Sequence, residues 1–148
     1  MARDQDATPD AARERLRAAM ALHAEGDIEG ALKKAREALE MAPDSADTLS
    51  YLGSTLVMRR GRYREGLAEL ERARDAAPLD AAIWYTLGWC YEFAAHGVAR
   101  RARPGLDAQE LYRDAEAALR RCLDLNPDGK LKDDAQDLLS SIIKEDVG

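Results

Sequence analysis

The sequence predicts an all-α protein built from stacked pairs of antiparallel helices, about seven helices in all. Two observations lead to this prediction. The 148 residues are rich in strong helix formers such as Ala, Leu, Arg and Glu, whereas Gly occurs 10 times and Pro five times. In addition, three segments repeat one spacing of small and apolar residues that ends at a proline. The length suits one domain, which we expect to span residues 1–148.

The repeated spacing indicates a helix whose inner face is small. In each segment a small residue is followed by another small or apolar residue four positions on, a third after three more, and a proline after a further five. Steps of four and three keep these residues on one helix face. Proline then ends the helix, since it lacks an N–H and clashes with the preceding turn. The three sets are Ala31, Ala35, Ala38, Pro43; Gly66, Leu70, Ala73, Pro78; and Ala115, Leu119, Cys122, Pro127.

A second helical pattern precedes each of these segments. The successive units carry Arg15, Ala18, Ala19, Leu22; Leu49, Leu52, Gly53, Leu56; and Trp84, Leu87, Gly88, Tyr91. The third unit reads W-x-x-L-G-x-x-Y, and with it the sequence resembles the tetratricopeptide repeat family over about residues 12–127. The resemblance implies a right-handed superhelix of three repeats, at about 12–44, 45–79 and 80–128.

Capping residues and prolines set the predicted helix boundaries. Residues 1–7 are predicted to be disordered, and Thr8-Pro9 begins the first helix. Asp27, Asp44 or Ser45, Asp80 and Asp107 are the other expected caps. The last helix carries an apolar stripe, from Leu131 to Ile142, which would close the open end of the array. The predicted helices are about 9–25, 28–42, 45–59, 63–77, 81–96, 107–125 and, as the capping helix, 130–145.

The third unit is longer than the others. From Tyr91 to Ala115 it spans 24 positions, whereas the matching interval from Leu22 to Ala31 spans nine. Part of the insertion should lengthen both helices of this pair, because Ala94 and Ala95 extend the first one and Asp107 can cap an early start of the second. The sequence leaves open whether the insertion at about 94–108 is a plain surface loop, contacts a partner or covers the groove.

The segment 81–93 concentrates five of the aromatic side chains. By the match to the motif, Trp84, Leu87, Gly88 and Tyr91 pack within the repeat. The other three, spaced at four and four, form a separate stripe. The family lines its concave surface with the first helix of each repeat, so the resemblance implies that this stripe lines a groove. The expected groove residues are Tyr85, Trp89 and Phe93; Asp47, Ser50, Ser54, Val57 and Met58; and Arg13, Leu16, Met20, His23 and Ala24.

We expect this groove to bind a segment of another protein. Exposed aromatic and Met side chains are typical of binding surfaces. The aromatic stripe with Met58, Met20 and Leu16 would supply apolar contact, and the polar groove residues would orient the partner; alternatively, the insertion or the N-terminal segment covers the stripe. A subgroup of the family clamps the C-terminal carboxylate of heat-shock chaperones through Lys, Arg and Asn. That clamp is absent, because the equivalent positions hold Leu16, Met20, Tyr51, Ala82 and Thr86.

Seven arginines fall in two turns that should share one edge of the array. They are either solvated or a docking edge for an acidic peptide, a phosphorylated segment or a nucleic-acid backbone, since guanidinium groups suit bidentate recognition of oxyanions. Nucleic acid is the weakest of these candidates, because the turns lack interleaved aromatics and the net charge is −6. The seven are Arg59, Arg60, Arg62, Arg64, Arg100, Arg101 and Arg103.

Several function classes are disfavoured by what the sequence lacks. It has no apolar stretch of the ~20 residues that span a membrane and no apolar core of a signal peptide in its first residues. Two Cys and two His without ligand spacing predict no metal and no cofactor. Cys90 and Cys122 are expected to be buried apolar residues of a cytoplasmic protein. No nucleophile is paired with a base, so an enzyme is not expected.

Two alternatives to a general adaptor stay open. Small acidic proteins with three such repeats act as chaperones in bacterial type III secretion, and the Ala- and Arg-rich composition fits a bacterial genome, although the insertion does not fit that class. A self-assembling scaffold could instead join identical chains through Ile143 and Val147 or through the aromatic stripe. We therefore expect a monomer or a weak homo-oligomer.

Overall fold

The structure is a computed structural model that describes residues 9–147. The prediction for residues 1–7 lies outside this range. Within it the chain forms seven helices and no strand, as the fold prediction required. They are α1 (Pro9–Ala24), α2 (Ile28–Met41), α3 (Ala46–Arg60), α4 (Tyr63–Ala76), α5 (Ala81–Arg100), α6 (Ala108–Asp124) and α7 (Gly129–Val147).

The helices begin at the capping residues that the sequence indicates. The Asp27 carboxylate accepts a hydrogen bond from the backbone N–H of Gly30 at 2.9 Å, and the Asp107 carboxylate accepts one from Glu110 at 3.0 Å. Ser45, not Asp44, caps α3. Such bonds satisfy backbone donors that the first helical turn leaves unpaired. Six helices begin and end within two residues of their predicted bounds. The exception is α5, which continues to Arg100 beyond its predicted end at about residue 96.

The helices pack as three antiparallel pairs: α1 with α2, α3 with α4, and α5 with α6. The pairs then stack, because α3 contacts α2, and α5 contacts both α3 and α4. α7 packs against α6 and α5 and closes the end of the array. The chain is therefore an all-α solenoid of helix pairs, in which the first helices of the pairs face one side.

Small residues allow the two helices of a pair to touch backbone to backbone. A Cβ atom on Gly53 of α3 would lie 2.6 Å from the carbonyl oxygen of Gly66 on α4, and a Cβ on Gly66 would meet the Gly53 oxygen at the same distance. In the third pair, a Cβ on Gly88 would lie 2.8 Å from Cγ of Leu119. Gly66, one of the repeated small positions, thus lies where the two helices of the second pair meet.

The apolar interior is continuous from the middle of the array to its end. The main cluster begins at Val57 of α3, includes Leu87 and Leu119 of the third pair, and ends at Ile142 of α7. A second cluster joins α1, α2 and the middle of α3, around Leu32 and Leu56. The stripe on α7 therefore covers the last pair, as the sequence predicted.

Both cysteines are buried, free and part of this interior, at 0% exposure. Burial raises the pKa of the Cys90 thiol to about 12 and also raises the pKa of Cys122. Because the thiolate is the reactive form, native protein at pH 8 should resist iodoacetamide, whereas protein unfolded in urea should be alkylated at both positions. Mass spectrometry of the two samples measures this; rapid alkylation of the native chain would contradict the burial.

The insertion extends the third pair by helix more than by loop. α5 runs nine residues past Tyr91, whereas α3 runs four past the equivalent Leu56, and α6 starts seven residues before Ala115. The predicted lengthening of both helices is thus confirmed. The extra turn of α5 packs on α4, where Gly97 lies so close to Tyr63 that a side chain would collide with the phenol ring. Residues 101–107 form the connecting loop.

Candidate functional site

Two adjoining depressions lie on the side formed by α1, α3 and α5. The first has a volume of about 500 Å³ and the second about 340 Å³. They share Tyr51, Ser54 and Trp89, so we describe them together as the groove. The first is lined by Leu16, Met20, Asp47, Ser50, Tyr51, Ser54, Asp80, Ala82, Ile83, Tyr85, Thr86 and Trp89. The second is lined by His23, Tyr51, Ser54, Thr55, Met58, Arg59 and Trp89.

Most of the groove residues expected from sequence lie in these walls. Leu16 and Met20 come from α1, and Tyr85 and Trp89 come from α5. Three polar residues of α3 lie between them: Asp47, Ser50 and Ser54. His23 and Met58 line the second depression.

Four expected groove residues lie elsewhere, and one of them, Ala24, lines neither depression. Phe93 packs against the main cluster, with its ring edge-on to Tyr63 at 6.4 Å between centroids. An α-helix advances 100° per residue, so each step of four rotates 40°, and Phe93 has turned away from the face that holds Tyr85. Val57 is fully buried. Arg13 lines neither depression and pairs with Asp10 at 3.1 Å.

The groove combines an exposed apolar rim with a buried floor. Met20 is 48% exposed and Trp89 38%, and they rank among the large apolar side chains most exposed in the described residues. Leu16 is 9% exposed and forms part of the floor. Tyr85 is half-buried, and this burial raises the pKa of its phenol. The ring therefore stays neutral near pH 7 and can both donate and accept a hydrogen bond.

Tyr51 is a groove residue that the predicted set did not include. It contributes to both depressions, and its Oη lies 2.8 Å from Nδ1 of His23, with the two rings edge-on. Burial raises the pKa of Tyr51. The available signal was its place at a position equivalent to the family's carboxylate clamp, which Ala82 and Thr86 share, and both of these also line the groove. Thr55, Asp80 and Ile83 line the groove without having been predicted to do so.

Charged side chains occupy opposite ends of the groove. Asp47 lies in the first turn of α3, and Asp80 caps the start of α5. Arg59 lies in the last turn of α3. Among the described residues, no Lys or Arg lines the first depression, and no Asp or Glu lines the second. The groove is therefore acidic where α3 begins and basic where it ends.

The inserted loop is fastened to the neighbouring turn and leaves the groove open. The Arg103 guanidinium donates to the carbonyl oxygen of Gly61 at 2.9 Å and lies over the Tyr63 ring, 4.5 Å from its centroid. Arg64 donates to the carbonyl oxygen of Pro104 at 2.6 Å. In the described structure, none of residues 94–108 lines either depression. Of the alternatives that the sequence leaves open for the insertion, covering of the groove does not agree with this arrangement.

The two arginine-rich turns do meet at one edge, but part of their charge is used within the chain. Arg64 and Arg103 fasten the loop, and Arg60 pairs with Glu29 at 2.7 Å. The side chains of the other four are exposed: Arg59, Arg62, Arg100 and Arg101. The loop-fastening role offers a structural explanation for two of the seven arginines.

Arg103 should contribute to stability where its neighbour Arg101 does not. Replacing Arg103 with Ala removes a charged hydrogen bond and a cation–π contact, so we expect a loss of about 1 kcal/mol in the free energy of unfolding. Arg101→Ala, two positions earlier in the same loop, should change it by less than about 0.5 kcal/mol. Urea unfolding of both variants checks the difference, and equal midpoints would contradict the fastening role.

A smaller cavity of about 280 Å³ lies on the other side of the array, between α4, α6 and the inserted loop. There the Tyr91 hydroxyl donates to a carboxylate oxygen of Glu71 at 2.5 Å. Burial, and then this bond, raise the pKa of Tyr91. Partial burial, and then the charges of Glu110 and Glu71, raise the pKa of Asp114. The described residues contain no group of three or more His, Cys, Asp or Glu side chains arranged to hold a metal ion.

The raised pKa of Asp114 predicts how stability depends on pH. The folded state disfavours the ionised carboxylate, so this destabilisation is present at pH 7 and is lost as pH falls through the folded and then the unfolded pKa. Asp114→Asn should therefore raise the urea midpoint at pH 7, and the gain should shrink towards pH 3.5. The exposed Asp137, changed to Asn, is the matched control; an equal gain there would contradict the assignment.

Comparison with known proteins tests the family prediction. Residues 22–90 match the family described as Tetratricopeptide repeat. The chain contains tetratricopeptide repeats. The matched residues run from the end of α1 to the middle of α5, and the remaining helices continue the same stack. No curated protein sequence matches the chain significantly.

Solved structures with similar folds agree with this assignment. The human IFIT1 dimer, solved with m7Gppp-AAAA and with PPP-AAAA, superposes on 93% of this chain with a TM-score of 0.72 and 20% identity. This tetratricopeptide repeat chain spans only 30% and 29% of those two chains. The N-terminal domain of stress-induced protein-1 (STI-1) from C. elegans gives a TM-score of 0.58 at 17% identity, over 87% of this chain and 94% of that one. These identities establish a shared fold alone.

Tetratricopeptide repeats are in general non-catalytic modules that bind other proteins or peptides. In the part of the chain that the structure describes, each helix is too short or too polar to cross a membrane.

Proposed function

We propose that this tetratricopeptide repeat protein is an adaptor that binds an extended segment of another protein in the groove. The observation that carries the proposal is the open groove itself, with Trp89 and Met20 exposed on a rim above an apolar floor. Exposed aromatic and Met side chains around a concavity gain contact area on binding and give up little solvation. The polar side chains of Ser50 and Ser54 on α3 would orient the segment through hydrogen bonds.

The proposal is tested by selecting binders from a library of random peptides displayed on phage, with the purified chain as target. Selected peptides should bind the wild-type chain and lose at least about tenfold in affinity for Trp89→Ala, because aromatic anchors dominate such contacts. Leu79→Ala is the matched control: this side chain is 75% exposed in the α4–α5 turn and lines neither depression. Isothermal titration calorimetry gives the affinities.

A second variant guards against a loss of folding. Trp89 buries part of its ring, so its removal also costs stability, whereas Ser50→Trp removes no apolar side chain and adds bulk in the first depression. Both variants should keep the helical circular dichroism spectrum and weaken the peptide. Binding that survives both changes would overturn the groove proposal. Light scattering on the free protein checks that a second copy of the chain does not occupy the groove.

A further inference from the structure

We propose that the segment bound in the groove carries a Lys or Arg side chain at one end, an Asp or Glu side chain at the other, and apolar residues between them. This rests on the proposed function and deepens it, since it states the chemistry of the partner. The acidic end of the groove would receive the basic side chain, and the end at Arg59 would receive the acidic one. The charged side chains of α3 and α5 that line the groove support this inference.

The acidic end is formed by two carboxylates on different helices. Asp47 and Asp80 both line the first depression. On α1, Arg13 pairs with Asp10 at 3.1 Å. On the α7 side, Lys130 pairs within its own helix with Asp134, also at 3.1 Å. The local field at this end is therefore negative, and it favours a cationic side chain of a partner.

The basic end is formed by Arg59, which lines the second depression beside Met58 and His23. The adjacent Arg60 is directed elsewhere, because its guanidinium pairs with Glu29 at 2.7 Å. The Arg59 side chain is exposed. A guanidinium presents several donors in a rigid plane, so a carboxylate is its natural counterpart.

The length of the groove fixes the spacing of the two charges in the partner. Asp47 and Arg59 are twelve residues apart on one helix, which corresponds to about 18 Å at the α-helical rise. An extended chain covers that distance in about five or six residues. Trp89, shared by both depressions, lies between the ends and would contact the apolar middle of the segment. The two ends together would also select the direction in which the chain binds.

The phage selection described above tests this chemistry directly through the sequences that it enriches. Peptides of about twelve random residues contain every possible placement of the two charges. Relative to the unselected library, the enriched set should contain a basic residue about five positions from an acidic one roughly fivefold more often, in one chain direction, since the two exposed charge pairs together are worth about 1 kcal/mol.

Charge-neutralising variants locate the recognition. Asp80→Asn removes the charge and keeps the N-cap, because Asn caps helices as well as Asp does. Combined with Asp47→Asn, it should abolish the preference for a basic residue and leave the preference for an acidic one, and Arg59→Gln should do the reverse. The matched control is Asp27→Asn with Asp137→Asn: a second N-cap and a second exposed carboxylate, neither of which lines the groove.

The outcomes separate this inference from the proposed function. Two outcomes would overturn the inference and leave the groove proposal standing. In the first, the selected peptides depend on Trp89 but carry no paired charges. In the second, they carry paired charges, but the preference for these charges does not change when Asp47 and Asp80 or Arg59 are replaced. Enriched peptides that ignore Trp89→Ala and Ser50→Trp, or no enrichment at all, would overturn both. If each charge-neutralising variant abolishes its own charge preference and the control variant does not, the result supports the inference and the proposed function.

Discussion

Gly53→Ala is expected to lower the free energy of unfolding by about 2 kcal/mol or more. The new Cβ would lie 2.6 Å from the carbonyl oxygen of Gly66 and 2.7 Å from Cγ of Leu70. A side-chain tip can move out of such a contact, but the backbone of α4 cannot move without separating the second helix pair. The gain in helix propensity, about 1 kcal/mol for Gly to Ala, offsets only part of this cost.

The control for this change is Gly129→Ala in α7, where a Cβ would meet nothing within 4 Å. There the higher propensity of Ala should act alone, so stability should be unchanged or rise by up to about 1 kcal/mol. Urea unfolding followed by circular dichroism compares the two variants. If both glycines tolerate Ala equally, the close approach of α3 and α4 is not what holds this pair together.

Leu87→Ala is expected to lower the free energy of unfolding by about 2–5 kcal/mol. This is the largest loss that we predict for the truncation of a single side chain. Leu87 is 0% exposed in the middle of α5, within the cluster that runs from α3 to α7. Removing it deletes buried apolar atoms and leaves a cavity that the packed helices cannot fill. The helices of the third pair and α7 share this cluster, so their backbone amides should exchange hydrogen faster together.

Leu79→Ala provides the matched comparison, because the chemical change is the same and the side chain is 75% exposed in a turn. Its free energy of unfolding should differ from that of the wild-type chain by less than about 0.5 kcal/mol. Unfolding in urea gives both free energies, and hydrogen exchange shows which helices respond. A small effect at Leu87, similar to that at Leu79, would contradict the central place of α5 in the core.

The helical organisation could be predicted because its signals are local. The steps of four and three around Ala31, Gly66 and Ala115 define one face of each second helix, and the prolines that follow end it. The caps at Asp27 and Asp107 act within one turn, so the boundaries near them were predicted to about a residue. The family match over residues 22–90 and the seven observed helices agree with this prediction.

The composition of the groove was predicted less completely, because it depends on how helices from different repeats are rotated against one another. Phe93 continues the spacing of Tyr85 and Trp89 along the chain, yet helix rotation carries it onto Tyr63. Tyr51 enters both depressions, although its sequence context had suggested only a substituted clamp position. The arginine edge was likewise predicted from position in the chain, whereas the contacts of Arg64 and Arg103 arise only when the two turns meet.

By itself, the sequence determined the number of helices, their order, their ends and the small positions at which they approach, because these follow from backbone hydrogen bonding and from residue periodicity within single helices. Only the tertiary structure decided that the insertion leaves the groove open and that acidic and basic side chains occupy its opposite ends. Those features depend on distances between residues far apart in the chain, which stacking of the helix pairs sets.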